Sequence, residues 1–211
     1  MSINYEQLNK ISSSLDDYVN AKLLIVTKNQ KSDDILKLIN LGFSFFGENK
    51  VQEAQNKFKE IQSKYDISLS LIGPLQTNKT KIALNLFDSI QSIDRKKLVD
   101  EIVKQKNLAP IKTRIFFIQV NIGNEPQKSG IDLESLEDLY SYAVNLGIEI
   151  QGLMCIPPND DKCEKYFNRM YKIRNSLNKN LSLSMGMSND YDKALIAGSN
   201  IIRIGSLIFN V

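Results

Sequence analysis

The 211-residue chain contains no histidine and no tryptophan. The missing histidine excludes a Ser-His-Asp or Cys-His relay, a His-ligated zinc or iron site and an imidazole pH switch. Chemistry near neutral pH must therefore rest on lysine, cysteine, tyrosine, carboxylates or a cofactor. Cysteine is scarce too. Cys155 and Cys163 cannot build a disulfide framework, and their spacing of eight matches no metal motif. A reduced, cytoplasmic compartment is the simpler reading, with no metal site expected. No apolar run approaches roughly 18 residues, so no membrane span is expected. The stretch from Met1 to Leu15 mixes polar and apolar residues and carries Glu6, unlike a signal peptide. Excess charge of one sign is also missing: Lys+Arg number 27 against Asp+Glu 24, a net +3. The lysines are interleaved with acids rather than clustered with arginines, which argues against a nucleic-acid surface.

What is present reads as an ordinary globular chain, 42% hydrophobic and 24% charged. Its length suits one domain, and no Pro/Gly/Ser-rich linker divides it, so residues 1–211 are expected to form a single domain. Short β-branched or aromatic runs end in polar or glycine-containing turns, each followed by a segment of helical spacing. The strand-like runs are 23–27, 43–46, 67–72, 88–93, 114–120, 148–156, 181–185 and 201–204. The helical segments between them are 32–41, 51–65, 78–86, 95–106, 132–146, 161–177 and 190–197, with an extra helix over 5–19 in front. Gly147 stands where a C-cap glycine belongs. Eight βα units predict an α/β fold of the TIM (β/α)8 barrel type, small beside the typical length of about 250 residues. A doubly wound open sheet is the alternative. No Gly-x-Gly-x-x-Gly follows the first strand, which weakens a dinucleotide-binding reading.

In such a barrel, function sits at the C-terminal strand ends. Those ends carry Lys28, Gly47-Glu48-Asn49, Gly73, Asp94, Asn121, Met154, Ser188 and Arg203-Ile204-Gly205-Ser206. Lys28 ends an apolar strand, so its stem is expected to be packed, with its amine in the barrel mouth. At the reference pKa of about 10.4, few lysine amines are neutral at pH 7; partial desolvation frees the lone pair to attack an aldehyde. A solvated lysine is the plain alternative. Gly186-Met187-Ser188 and Arg203-Ile204-Gly205-Ser206 both run from strand to helix. Loops after strands seven and eight of a barrel often cradle a phosphate, with glycines for close approach and Ser188 and Ser206 as hydroxyl donors. Ser188 as a plain N-cap is the other reading. A lysine with a phosphate cradle suits a phosphorylated aldehyde such as pyridoxal 5′-phosphate (PLP).

Several motifs then appear in order: Leu24-Ile25-Val26-Thr27-Lys28, Phe46-Gly47-Glu48-Asn49 with Val51-Gln52-Glu53, and Ile72-Gly73-Pro74-Leu75-Gln76-Thr77-Asn78-Lys79. Lys128-Ser129-Gly130, Gly152-Leu153-Met154 and Ser184-Met185-Gly186-Met187-Ser188 with Arg203-Ile204-Gly205 complete the series. Together they span residues 23–209 and resemble the pyridoxal phosphate homeostasis protein family, the YggS/PROSC-like proteins. The resemblance implies a PLP-binding barrel like the N-terminal domain of alanine racemase. It implies Lys28 as the Schiff-base (aldimine) lysine and Ser188, Gly205 and Ser206 as phosphate-holding positions. It implies Arg203 facing the pyridine ring, where it would disfavour ring protonation and weaken the electron sink. Asn49 and Met154 are implied to line the cofactor. A monomer that passes PLP to apo-enzymes and serves vitamin B6 homeostasis is implied as well. Departures are Ser70 where many relatives have histidine, expected to alter the outer mouth; Asn29-Gln30-Lys31 without the usual proline; and an early stop at Val211.

Other residues read more plainly. Lys128-Ser129-Gly130 reads as a solvated turn, with approach to a ligand as the alternative. Cys155 reads as core, and Tyr166, Phe167, Met170 and Ile173 as a core-facing stripe. Glu48 and Asp94 read as local hydrogen-bonders. A carrier without a catalytic residue set is favoured over a PLP-dependent racemase. Racemases of this barrel type carry a second domain with a catalytic tyrosine, for which three residues after Ile208 leave no room, and a racemase needs an acid/base on each substrate face. A Schiff-base aldolase is a third class and would hold no chromophore.

Overall fold

The structure is a computed structural model and describes residues 3–209. The early stop at Val211 lies outside them. Eight parallel strands close in sequence order: β1 (Lys22–Val26), β2 (Phe45–Glu48), β3 (Ser68–Leu71), β4 (Ser89–Ile93), β5 (Ile115–Val120), β6 (Ile150–Cys155), β7 (Ser182–Ser184) and β8 (Ile201–Ile204). β1 pairs with β2 on one side and with β8 on the other, Leu24 opposite Arg203, so the expected barrel is closed and the open sheet is set aside. The outer layer holds α2 (Ser32–Asn40), α3 (Val51–Lys64), α4 (Thr80–Leu86), α5 (Lys96–Leu108), α6 (Leu133–Asn145), α7 (Cys163–Asn178), α8 (Tyr191–Ile196) and the short α9 (Ser206–Phe209). The extra N-terminal helix, α1 (Tyr5–Ser14), buries Leu8 and Ile11, and Asn4 N–H donates to Ile208 O at 2.8 Å.

Strand alternation decides what faces where. Ile25, Phe46, Leu69, Ile90, Ile118, Leu153, Leu183 and Ile202 point outward and pack with the helices in one continuous core. The inward positions form a second layer of different character. Leu24, Val26 and Ile72 make a small apolar cluster there. Ser70 Oγ meets Ser89 Oγ at 2.6 Å, and Ser184 Oγ donates to Gln91 Oε1 at 2.6 Å. Ser70 is fully buried, so this departure from the family pattern lies inside the barrel and not at its outer mouth.

Most expected elements are found, with informative shifts at their ends. α1 stops at Ser14 rather than 19, because successive turns follow (Tyr18 N to Leu15 O, Ala21 N to Tyr18 O). β2 begins later and ends later than expected. Phe43 N–H donates to Leu38 O and so belongs to the end of α2, while Gly47 is a true strand residue. A Cβ on Gly47 would lie 2.2 Å from Leu24 Cδ2, so glycine leaves the interior space that the Leu24 side chain fills. The helix expected over 78–86 starts as a 3-10 turn, Thr77–Lys79, before α4. α6 ends as expected: Gly147 N donates to Val144 O and Ile148 N to Ala143 O, the paired bonds of a Schellman cap. Among the described residues no helix is long and apolar enough to cross a membrane.

Candidate functional site

The C-terminal strand ends surround an open cavity of about 730 Å³. Six of the seven proposed cofactor residues line it: Lys28, Asn49, Ser188, Arg203, Gly205 and Ser206. The seventh, Met154, is fully buried in β6 beside Gln119 and does not reach the wall. Lys28 follows Val26, the last apolar residue of β1, and is exposed where a packed stem was expected. The cavity mouth is open at this point, whereas Thr27 turns away from it, toward Glu48 and α3.

The two loops after β7 and β8 are joined directly. Ser206 Oγ donates to Ser188 Oγ at 2.8 Å. Ser188 does not cap α8: the N-cap position is Asp190, whose Oδ1 accepts from Met187 N–H at 2.6 Å instead and braces the turn. Burial pushes the Asp190 carboxyl above its ordinary value, against the Met187 N–H and the Arg203 charge. Gly186 has φ +95°, and a Cβ there would lie 2.5 Å from Ala194 Cβ, so the turn needs glycine for both conformation and space. The backbone N–H groups of Ser188, Asn189, Ser206 and Leu207 have no partner among the described residues. The Ser188 hydroxyl and the N–H groups of Ser188, Asn189 and Ser206 thus stand at one corner of the cavity, a donor set for an anion.

Arg203 rises from β8 into the barrel and is 3% exposed. Its Nη1 donates to Ser184 Oγ at 2.9 Å and its Nη2 to Cys155 O at 2.7 Å. Burial pushes the guanidinium below its usual value, opposed by Cys155 and Asp190, and it stays a cation at neutral pH. Burial pushes the Cys155 thiol up to about 12. That thiol is no nucleophile, in keeping with its reading as core.

The wall also holds Gln119, which the sequence did not mark, and Lys128 and Ser129, for which the sequence favours a plain turn. Gln119, 4% exposed, donates from Nε2 to Ser129 O at 3.1 Å, while its Oε1 is buried without a partner. The signal was one polar residue inside the apolar run of β5. Lys128 Nζ is held by Pro157 O at 2.9 Å and Glu125 Oε2 at 2.5 Å. Among the other strand ends, Asn121 braces the loop after β5 through Glu125, and Asp94 pairs with Arg95, which reaches Leu75 O at 2.8 Å. Glu48 bonds Thr27 and Lys57. Asp94 and Glu48 are local hydrogen-bonders, as read.

No family model matches the chain. It is 37% identical over 198 residues to the pyridoxal phosphate homeostasis protein of Aquifex aeolicus, covering 90% of this chain and 86% of that protein. It is 38% identical over 199 residues to the protein of the same name from Pasteurella multocida, covering 89% and 85%. Among solved structures, PipY of Synechococcus elongatus PCC7942 with PLP bound superposes with a TM-score of 0.87 at 30% identity, over 97% of this chain and 98% of PipY. Alanine racemase from Corynebacterium glutamicum, at 15% identity and a TM-score of 0.68 over 60% of its own length, shares the barrel fold. With this level of identity over nearly its whole length, the chain belongs to the pyridoxal phosphate homeostasis protein family.

Proposed function

We propose that this chain binds PLP in the cavity, holds it as an aldimine on Lys28, and serves intracellular vitamin B6 homeostasis by keeping and passing on the cofactor. The observation that carries the reading is the convergence of Lys28 with the joined Ser188–Ser206 corner on one cavity wall. PLP needs an anion cradle, a flat slot and an amine. The corner offers the Ser188 hydroxyl and nearby backbone N–H groups for the phosphate, and the Gly205 backbone lies so close to β1 that a Cβ would meet Val26 O at 3.0 Å. Val26 and Ile72 supply apolar walls for a ring. Arg203, already bonded to Ser184 and Cys155, offers a fixed positive charge toward the ring nitrogen, and Asn49 offers a polar contact. Met154 would act from beneath, through packing. PLP would supply an aldehyde there, and Lys28 would hold it through its amine with the release of one water, a link that needs no oxidant.

The racemase alternative asks for a second acid/base. The ionisable wall residues besides Lys28 are Lys128, Asp190 and Arg203. Each is engaged: Lys128 with Glu125, Asp190 with Met187 N–H, Arg203 with Ser184 and Cys155. This favours a carrier over an enzyme. The same reading takes residues 1–211 as one PLP-binding domain and the protein as a cytoplasmic monomer that meets apo PLP enzymes. Addition of PLP to the purified protein is expected to give a yellow aldimine band that Lys28→Ala loses. A wild type that stays colourless would overturn PLP binding. Exchange of an amino-acid α-proton at enzymatic rates would overturn the carrier reading.

A further inference from the structure

The turn that carries Lys28 is gripped from outside the barrel by a buried charge cluster on α3 and β2. Lys57 Nζ, 11% exposed, spends its three donors on Glu48 Oε1 at 2.5 Å, Glu53 Oε1 at 2.9 Å and the Thr27 carbonyl at 2.6 Å. Glu53 Oε1 in turn accepts the Asn29 N–H at 2.5 Å. Thr27 Oγ1 donates to Glu48 Oε1 at 2.7 Å. Both residues flanking Lys28 are therefore held, while the Lys28 side chain itself is left to the cavity. Asn29 has φ +61°, a left-handed turn backbone that asparagine accepts more readily than most residues, and its N–H is fixed by Glu53. Glu48 also adjoins Asn49, so one cluster braces two neighbouring parts of the cavity wall.

Stability alone gives a poor account of this cluster. Buried ion pairs are often no better than apolar packing, and Glu48 Oε2 is buried with no partner at all. What the cluster does accomplish is geometric. An exposed lysine on a short turn has many orientations, and bond formation at an aldehyde needs the amine within a narrow range of positions.

We propose that Glu53 and Lys57 are positioning residues that lock the Thr27–Asn29 turn and thereby aim Lys28 at the PLP aldehyde. This rests on the function proposed above and extends it to residues outside the cavity. Four proteins test it: wild type, Glu53→Ala, Glu53→Gln and the double variant Lys57→Met/Glu48→Gln. The double variant removes two buried charges together, and Glu53, on the partly exposed side of the cluster, can change without opening the core. Thermal unfolding of each apo protein checks that the fold persists. The first readout is the rate of aldimine-band formation with PLP. Glu53→Ala and the double variant are expected to slow it roughly ten- to a hundredfold. Glu53→Gln keeps an oxygen acceptor for Asn29 N–H and is expected to recover most of the rate. The second readout, amide hydrogen exchange at Asn29 in the apo protein, needs no PLP. It is expected to rise at least about tenfold in Glu53→Ala, as a lost local hydrogen bond requires. Folded variants with the wild-type rate, or unchanged exchange at Asn29, would overturn the proposal. A wild type without the band would overturn the proposed function, and the exchange readout would then decide the grip on the turn by itself.

Discussion

Arg203 is a cation kept inside a barrel, and its cost is met by two acceptors from different strands, Ser184 Oγ on β7 and Cys155 O on β6. Replacing it by methionine keeps much of the volume but takes the donor from the buried Cys155 carbonyl and removes one of the two bonds at Ser184 Oγ, which keeps its bond to Gln91. Arg203→Met is expected to cost about 2–4 kcal/mol in denaturant unfolding. A change below about 0.5 kcal/mol, the size typical of plain surface substitutions, would contradict the hydrogen-bond account. Residue chemistry also set what could be read in advance. Lys28, Ser188, Arg203, Gly205 and Ser206 were legible as cavity residues because each stands at or next to the C-terminal end of a strand. Gln119 was not, because its significance comes from Ser129, ten residues away across a loop. The exposure of Lys28 was missed for a related reason: an apolar strand predicts packing for the residues within it, not for the first residue of the turn beyond it.

At the scale of elements, α3 does more than cover β2. Its face carries Glu53 and Lys57 one turn apart, and that spacing lets both reach the end of β1. Two carboxyls in this cluster shift in opposite directions. Burial holds Glu48 above its ordinary value against Lys57 and Thr27. For Glu53, burial pushes upward too, but Lys57 and the Asn29 N–H outweigh it, and the group lies below its ordinary 4.5. A lowered folded pKa means stability that is present above the unfolded value and is lost as pH falls through the folded one. The wild-type advantage over Glu53→Gln is therefore expected to be full at pH 7 and to shrink as pH falls below 4.5, tracked by unfolding across that range. Solvent screening keeps it to about 0.3–1 kcal/mol. An advantage that grows toward pH 3 would reverse the sign and contradict it. Element existence and order were legible from periodicity throughout. Ends were not where the interior intervened: Gly47 looked like a turn glycine but is a strand residue shaped by Leu24.

For the whole molecule, closure is what converts scattered motifs into a site. Lys28 and Ser206 stand at opposite ends of the sequence, yet β1 and β8 are hydrogen-bonded neighbours, so both border one cavity. Barrel architecture was visible in eight βα repeats, and the motif order pointed to the cofactor. The depth of Met154, the interior pairing of Ser70 with Ser89 and the part of Lys128-Ser129 in the wall depend on strand register and loop packing, which no local pattern encodes. This assembly is proposed to direct one lysine among many to PLP. Borohydride trapping of the PLP-loaded protein followed by peptide mass mapping reads that choice out. The reduced adduct is expected on the peptide containing Lys28 and is expected to be lost in Lys28→Ala. An adduct spread evenly over surface lysines, or centred on another residue in the wild type, would contradict it.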